Sequence, residues 1–332
     1  MSSIVITGVG AICPAGTEVD VAQAMAHPAV AGAVDDRLGG DLPAGVRSRM
    51  ARTERVTQLM ARAVGRALTA ADRLAFDDPP PRDVGIVVGT AFGCFLSNAS
   101  HQQRVREAGP ASASPRVFAA TVSNAAAGEI GIAYRLGGPA VTLIAGAASG
   151  LTALTHATAL LAEERCAALV AGGGDALGPP LMRWLAEAGM ATHPPSEAAA
   201  FVVLETAATA ARRGACALAT VLGGGVGFDD LAAPVATALA QAGVRAVDLR
   251  VVVRGAPPPL RQAEARLIAT LVDDTDAQVL PVKNHLGESF GAAGVLGLLV
   301  ALTALAPGEH ALLLDACGTG HVAALVVRRE NS

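Results

Sequence analysis

The sequence predicts an α/β protein in which sheets are covered by helices. Short β-branched runs alternate with longer Ala/Leu-rich stretches of helical length. Hydrophobic residues make up 52% of the 332, against 16% charged, so small aliphatic side chains can fill a large core. The formal net charge of −4 argues against a nucleic-acid binder that relies on a strongly basic surface.

In chain order, the β-branched run Ile4–Ile6 reads as the first strand. Gly8-Val9-Gly10 after it reads as a structural turn and not as a dinucleotide loop, because Cys13 stands where the third glycine of Gly-x-Gly-x-x-Gly belongs. A helix is expected over Thr53–Leu74, and a loop over Asp77–Asp83 around Pro79-Pro80-Pro81. The strand Val84–Val88, the helix Ala125–Leu136, the strand Val141–Ile144, the helix Gly150–Glu164 and the strand Ala168–Ala171 follow. Strands at Ala200–Leu204 and Ala217–Leu222 come next, then Gly223–Gly227, which lacks the Lys-Ser/Thr of a phosphate loop and reads as a loop after a strand. The remainder reads as helix Leu231–Ala242, strand Leu249–Val253, helix Arg261–Val272, strand Gln278–Pro281, helix Gly291–Leu305, and strands Ala311–Leu314 and His321–Val327. The apolar run Phe290–Ala306, interrupted by Gly291, Gly294 and Gly297, is short for a bilayer span and is expected as a buried helix, so no membrane span is expected.

The segments Gly150–Glu205 and Gly291–Arg328 share an order: buried helix, strand, glycine cluster, strand. That order is consistent with a duplication, with halves at 1–208 and 209–332. The N-terminus has no basic region before its apolar stretch, which points to the cytoplasm and not to secretion. Cys13, Cys94, Cys166, Cys216 and Cys317 are widely spaced, so reduced thiols are expected, and no His or acidic pairs stand at ligand spacing, so no metal is expected.

Several stretches, in order from end to end, resemble the β-ketoacyl synthase family of the thiolase-like fold. They are Ile4–Gly16, Gly89–Gly93, Ser123-Asn124 with Gly138-Pro139, Ala148–Leu151, Ala171–Ala176, Ser196–Glu205, and Lys283 with Gly287 and Gly291–Gly294. The resemblance implies two duplicated α/β halves in a layered αβαβα arrangement. It also implies Claisen condensation by a cysteine thiolate and two histidines. This chain departs at all three positions. Ala147 stands where the nucleophile belongs, Arg254 where the first histidine belongs and Glu288 where the second belongs, while the family lysine is kept as Lys283, the only lysine. Arg254 and Glu288 are expected to form a buried ion pair plugging the old site. Thr319 replaces the usual gating Phe, and the segments between Asp175 and Ser196 and between Gly294 and Gly318 are short for the family.

Relatives with this profile resemble the chain-length factors of type II polyketide synthases, including partners in aryl polyene clusters. The resemblance implies a heterodimer with a catalytic ketosynthase, an acyl carrier protein delivering the chain, no cofactor, and a pairing edge at Val141, Thr142, Leu143 and Ile144. The competing reading is a repurposed acyltransferase, hydrolase or cyclase using Ser149, His285 or Cys317. Arg55, Arg62 and Arg66 are candidates to face a carrier protein, or simply a solvated helix face.

Overall fold

The computed structural model describes residues 3–35, 42–74, 83–189, 193–273 and 275–331. The triple proline at 79–81 lies outside the described residues. Eleven strands share one sheet: β1 Ile4–Cys13, β2 Gly16–Thr17, β3 Val84–Thr90, β4 Ala140–Ile144, β5 Ala168–Asp175, β6 Ala198–Thr206, β7 Ala219–Phe228, β8 Leu249–Val253, β9 Gln278–Leu280, β10 His310–Ala316 and β11 His321–Arg329. The helices are α1 Glu18–Gln23, α2 Ala44–Met50, α3 Arg55–Ala70, α4 Phe95–Ala108, α5 Pro115–Ala119, α6 Ala125–Ala133, α7 Ser149–Ala162, α8 Pro179–Glu187, α9 Ala207–Arg212, α10 Ala232–Ala242, α11 Arg261–Val272, α12 Lys283–Leu286 and α13 Ala293–Ala304.

The strand order is β4-β3-β5-β6-β1-β7-β11-β10-β8-β9, with β2 hanging on β1. Read outward from the β1/β7 junction, both halves run the same way. Two antiparallel steps (β1–β6–β5 and β7–β11–β10) lead to two parallel ones (β5–β3–β4 and β10–β8–β9). The halves join where Ile4–Ile6 pairs antiparallel with Ala219–Val221.

Strand residues alternate between two apolar interiors. In β6, Ala198, Ala200, Val202 and Leu204 face α7 and α13, whereas Ala199, Phe201 and Val203 face α3. In β11, Ala323, Leu325 and Val327 face the same central helices, and Val322, Ala324 and Val326 face the α10 and α11 side. The result is five layers: helices, sheet, the α7/α13 pair, sheet, helices. The outer helix α3 is apolar along one stripe, with Val56, Leu59, Met60, Ala63, Val64, Ala67 and Leu68 buried at helical spacing. The central helix α13 is buried all round from Ala293 to Ala301, as a helix with sheet on both sides must be. Among the described residues no helix is long and apolar enough to cross a membrane.

Three glycine clusters correct the sequence reading. Gly8 and Gly10 do not turn the chain; they lie inside β1, where a Cβ would overlap the α3 carbonyls of Ala67 and Ala63. The run 223–227 is no loop but the middle of β7, with Gly223 and Gly225 against the α10 carbonyls of Ala238 and Pro234. Gly172–Gly174 likewise continue β5. Small residues here let a helix backbone come down on a strand, a need that local turn statistics do not reveal. The helices α4 and α8 also escape the sequence pattern, α4 because its run Ser97–Arg106 is largely polar.

A substitution pair tests this packing. Gly173→Val would drive a side chain into the carbonyls of Gly291 and Gly89 and should lower the unfolding free energy by about 3 kcal/mol or more. Gly128→Ala, at a helical position with nothing within 4 Å of its Cβ, should raise it by roughly 0.5–1 kcal/mol. Urea titration of both variants measures the difference.

Candidate functional site

The loop from β4 to α7 brings Ala147 to the N-terminal end of a buried helix, 7% exposed. Gly146, at φ +57, gives the tight turn. A thiol at this place would be favoured as thiolate by the helix end; a methyl group has no such chemistry. The neighbouring Ser149 is wholly buried and its Oγ is fully engaged. It accepts from the Ala145 N–H at 2.8 Å and lies 2.7 Å from the Gly146 carbonyl and 2.9 Å from that of Thr90.

Lys283 opens the short helix α12 and is buried with two carboxylates. Its Nζ donates to Asp315 Oδ1 at 2.8 Å and to the Gly255 carbonyl at 2.7 Å, and lies 3.1 Å from Glu288 Oε2. Burial works against the ammonium, but the fields of Asp315 and Glu288 outweigh it and hold the lysine's pKa above its ordinary value. Burial pushes the Asp315 carboxyl up, and Glu288 adds to this, against the pull of Lys283. Glu288 also accepts the Phe290 N–H through Oε1 at 3.0 Å.

The expected Arg254–Glu288 pair is not formed. Arg254 Nε donates instead to Glu264 Oε2 at 3.2 Å, with the Arg254 side chain 30% exposed. Glu264, fully buried on α11, accepts the Gly255 and Ala256 N–H groups at 2.8 Å each through its other oxygen. A buried carboxylate takes the donors nearest to it. Glu264 lies beside the 254–256 loop, and Lys283 already neutralises Glu288.

Asp175 is a second buried hub. Its carboxylate accepts from Thr90 Oγ1 at 2.7 Å, and from the Ala91, Phe92 and Gly291 N–H groups at 2.9 Å each. It ties the turn after β3 to the chain entering α13, across the two halves. Burial raises its pKa, opposed by these hydrogen bonds.

Four of the chain's few aromatic side chains gather next to this hub. Phe92 lies edge-on to Phe290 at 4.8 Å, to Trp184 at 5.9 Å and to Phe95 at 6.4 Å. Phe290 holds φ +49, a left-handed conformation uncommon for a bulky residue. The sequence reading missed this wall, although Phe92-Gly93-Cys94-Phe95 stands out in a chain with seven Phe and one Trp.

Cys317 is buried against Gly146, with Sγ 2.9 Å from Thr319 Oγ1 and 3.9 Å from His321 Nδ1. Thr319 itself is exposed in the β10–β11 turn. His285 lines a different cleft, with Asp20 and His27, its Nδ1 3.4 Å from the His27 carbonyl. Arg55 grips Glu197 through two hydrogen bonds of 2.7 Å, and Arg66 grips Glu18 at 2.6 and 2.8 Å, so neither is spare for a carrier protein. Val141, Thr142, Leu143 and Ile144 form β4, the sheet edge paired only with β3, with Ile144 54% exposed.

This topology agrees with the comparisons. The family described as beta-ketoacyl synthase, N-terminal domain, matches residues 31–228, and the chain belongs to the β-ketoacyl synthase family, with its thiolase-like fold. Within that family it is similar to a Streptomyces halstedii protein named "Putative polyketide beta-ketoacyl synthase 2", 31% identical over 387 residues that cover 98% of this chain and 90% of the relative. A Streptomyces coelicolor protein of the same name is 29% identical, covering 94% of this chain and 86% of its own length. Among solved structures, the ishigamide ketosynthase/chain length factor superposes with TM-score 0.83 at 25% identity, covering 99% of this chain and all of that one. A type II acyl-carrier protein in complex with its ketosynthase gives 0.80 at 21% identity, covering 99% of each chain.

Lys283→Met leaves Asp315 and Glu288 buried with no ammonium and should cost about 3–5 kcal/mol. A carboxyl whose folded pKa is raised favours the folded state while protonated and disfavours it as pH rises through the folded value. The loss in Lys283→Met should therefore be larger at pH 8 than at pH 5.5, as read by urea unfolding at both.

Proposed function

We propose that this chain is the non-catalytic, chain-length-factor-like subunit of a heterodimeric β-ketoacyl-acyl carrier protein synthase in type II polyketide biosynthesis. It pairs with an active ketosynthase and shapes the pocket into which the acyl chain grows, in the cytoplasm. One observation carries this reading. A methyl group, at Ala147, stands at the start of α7 where the family's condensing thiol is placed, and it cannot accept an acyl chain. Arg254, paired with Glu264, and Glu288, buried beside Lys283, supply no neutral imidazole to stabilise the charge of decarboxylation. The open edge β4 supports pairing, and the Phe92–Phe290–Trp184 wall supplies an apolar, rigid surface. The recurrence of one strand order on either side of the β1/β7 junction supports halves at 1–208 and 209–332.

Co-expression with the ketosynthase encoded nearest to it tests the reading. Size exclusion with mass determination should show a one-to-one heterodimer, and condensation from malonyl-loaded carrier protein should require this chain. Mass analysis of the released chain then tells an aryl polyene from another polyketide. A homodimer indifferent to the ketosynthase would overturn the proposal. Ile144→Lys, a charge on the exposed edge, should weaken the heterodimer at least ~10-fold while leaving the subunit folded. Ala147→Cys alone should give no condensation, because neither histidine is restored.

A second reading, a repurposed acyl-transfer, hydrolase or cyclase activity, is favoured by one observation, the approach of Cys317 Sγ to His321 Nδ1. An acyl adduct on Cys317, found by peptide mass spectrometry after incubation with an acyl thioester, would favour it.

A further inference from the structure

A small cleft of about 210 Å³ opens beside the relic site between the 254–256 loop and α12. Among the described residues its charged lining is all of one kind: Arg254, Arg261 and Lys283, with His193 and Asn284 between them, and no carboxylate. Lys283 is neutralised from behind by Asp315 and Glu288, and Arg254 by Glu264 through its Nε. Arg261 differs. Among the described residues it makes no ion pair, and its guanidinium is spent on the ring of His193, with Nη2 2.7 Å from Nε2.

An arginine always donates, so Arg261 needs Nε2 as an acceptor, whereas Asn284 Oδ1, 3.2 Å from the same Nε2, needs it as a donor, and one ring nitrogen cannot serve both. Burial, and after it the neighbouring Arg261, hold the His193 pKa below its ordinary value, against the opposing pull of Glu288 and Asn284. Nδ1 is buried and has no hydrogen-bond partner. A half-buried guanidinium with no counter-ion among the described residues and a second guanidinium with one donor used thus line one cleft, with the His193 ring between them. Both arginines keep N–H donors for a ligand.

We propose that this cleft binds a small oxyanion, a phosphoryl or carboxylate group, held by Arg254, Arg261 and His193. The planar forks of the two arginines suit the oxygens of such a group, and the cleft is too small for a drug-sized ligand. The proposal concerns this chain alone and does not rest on its pairing with a ketosynthase.

Isothermal titration of the full chain with inorganic phosphate, and separately with malonate, at fixed ionic strength with chloride as the counter-ion, tests it. Arg261→Gln should weaken binding ~10-fold or more, and Arg261→Lys, which keeps the charge but loses the fork, should fall between. Urea midpoints for both variants close to that of the unmodified chain show that the loss is local. Binding of phosphate alone that is lost in Arg261→Gln supports a phosphoryl ligand, and binding of malonate alone with the same loss supports a carboxylate. If neither ion binds below ~10 mM, or if binding is equal in Arg261→Gln, the proposal is overturned.

Discussion

The architecture depends on one constraint: two helices lie between two sheet halves, α13 buried all round from Ala293 to Ala301 and α7 buried along Leu151, Leu154, Ala157 and Leu161. Backbones must then approach closely, and side chains have to be removed where they do. A Cβ on Gly150 would overlap the chain entering α13, at the Gly291 carbonyl, and one on Gly294 would overlap Leu151 of α7. Gly89 in β3 leaves room for the Ser149 carbonyl at the start of α7, and Gly173 in β5 for the Gly291 carbonyl. At the same meeting point the Asp175 carboxylate collects N–H groups from both halves, so that backbone donors removed from water are still satisfied. Close packing and polar satisfaction are solved together there. The turn carrying Ala147 sits directly on this junction.

The charge cluster shows how a buried charge constrains the groups around it. Lys283 and Asp315 remain as a buried pair, and Glu288 has joined them where the resemblance expects a histidine. Removing Lys283 would leave two carboxylates without a cation in a dry interior, whereas Ala147 fills its turn beside a helix end without needing a partner. The cluster is therefore held in place for reasons of stability. Arg254 was accommodated in the same way, by a carboxylate on α11 that also holds the 255–256 backbone.

Much of the fold was legible because periodicity reports burial. The stripe of α3, the unbroken apolar run of α13 and the span Arg261–Val272 of α11 were all readable from spacing. The ordered motifs gave the family and the positions Ala147, Arg254, Lys283 and Glu288. The partner of Arg254 was not legible. Glu264 and Glu288 are both acidic and both near in sequence to site residues, and only the tertiary path of α11 decides between them. Asp315 could have been noticed as a lone acid in an apolar strand, Leu312-Leu313-Leu314-Asp315-Ala316, with a lone lysine elsewhere to answer it. The glycine-rich strands β1 and β7 were misread because a glycine placed for a neighbouring helix looks locally like a glycine placed for a turn.

The edge strand β4 carries a consequence for how much of this protein a cell can tolerate. Its unpaired backbone groups run beside Ile144, with no lysine, proline or bulge to blunt them. Such an edge is a template for any extended chain, not for one partner alone. A surplus of unpartnered subunits would therefore be prone to self-association, and production of the two members of a pair would be under pressure to stay in step. Matched synthesis would then be a requirement written into the backbone of a five-residue strand.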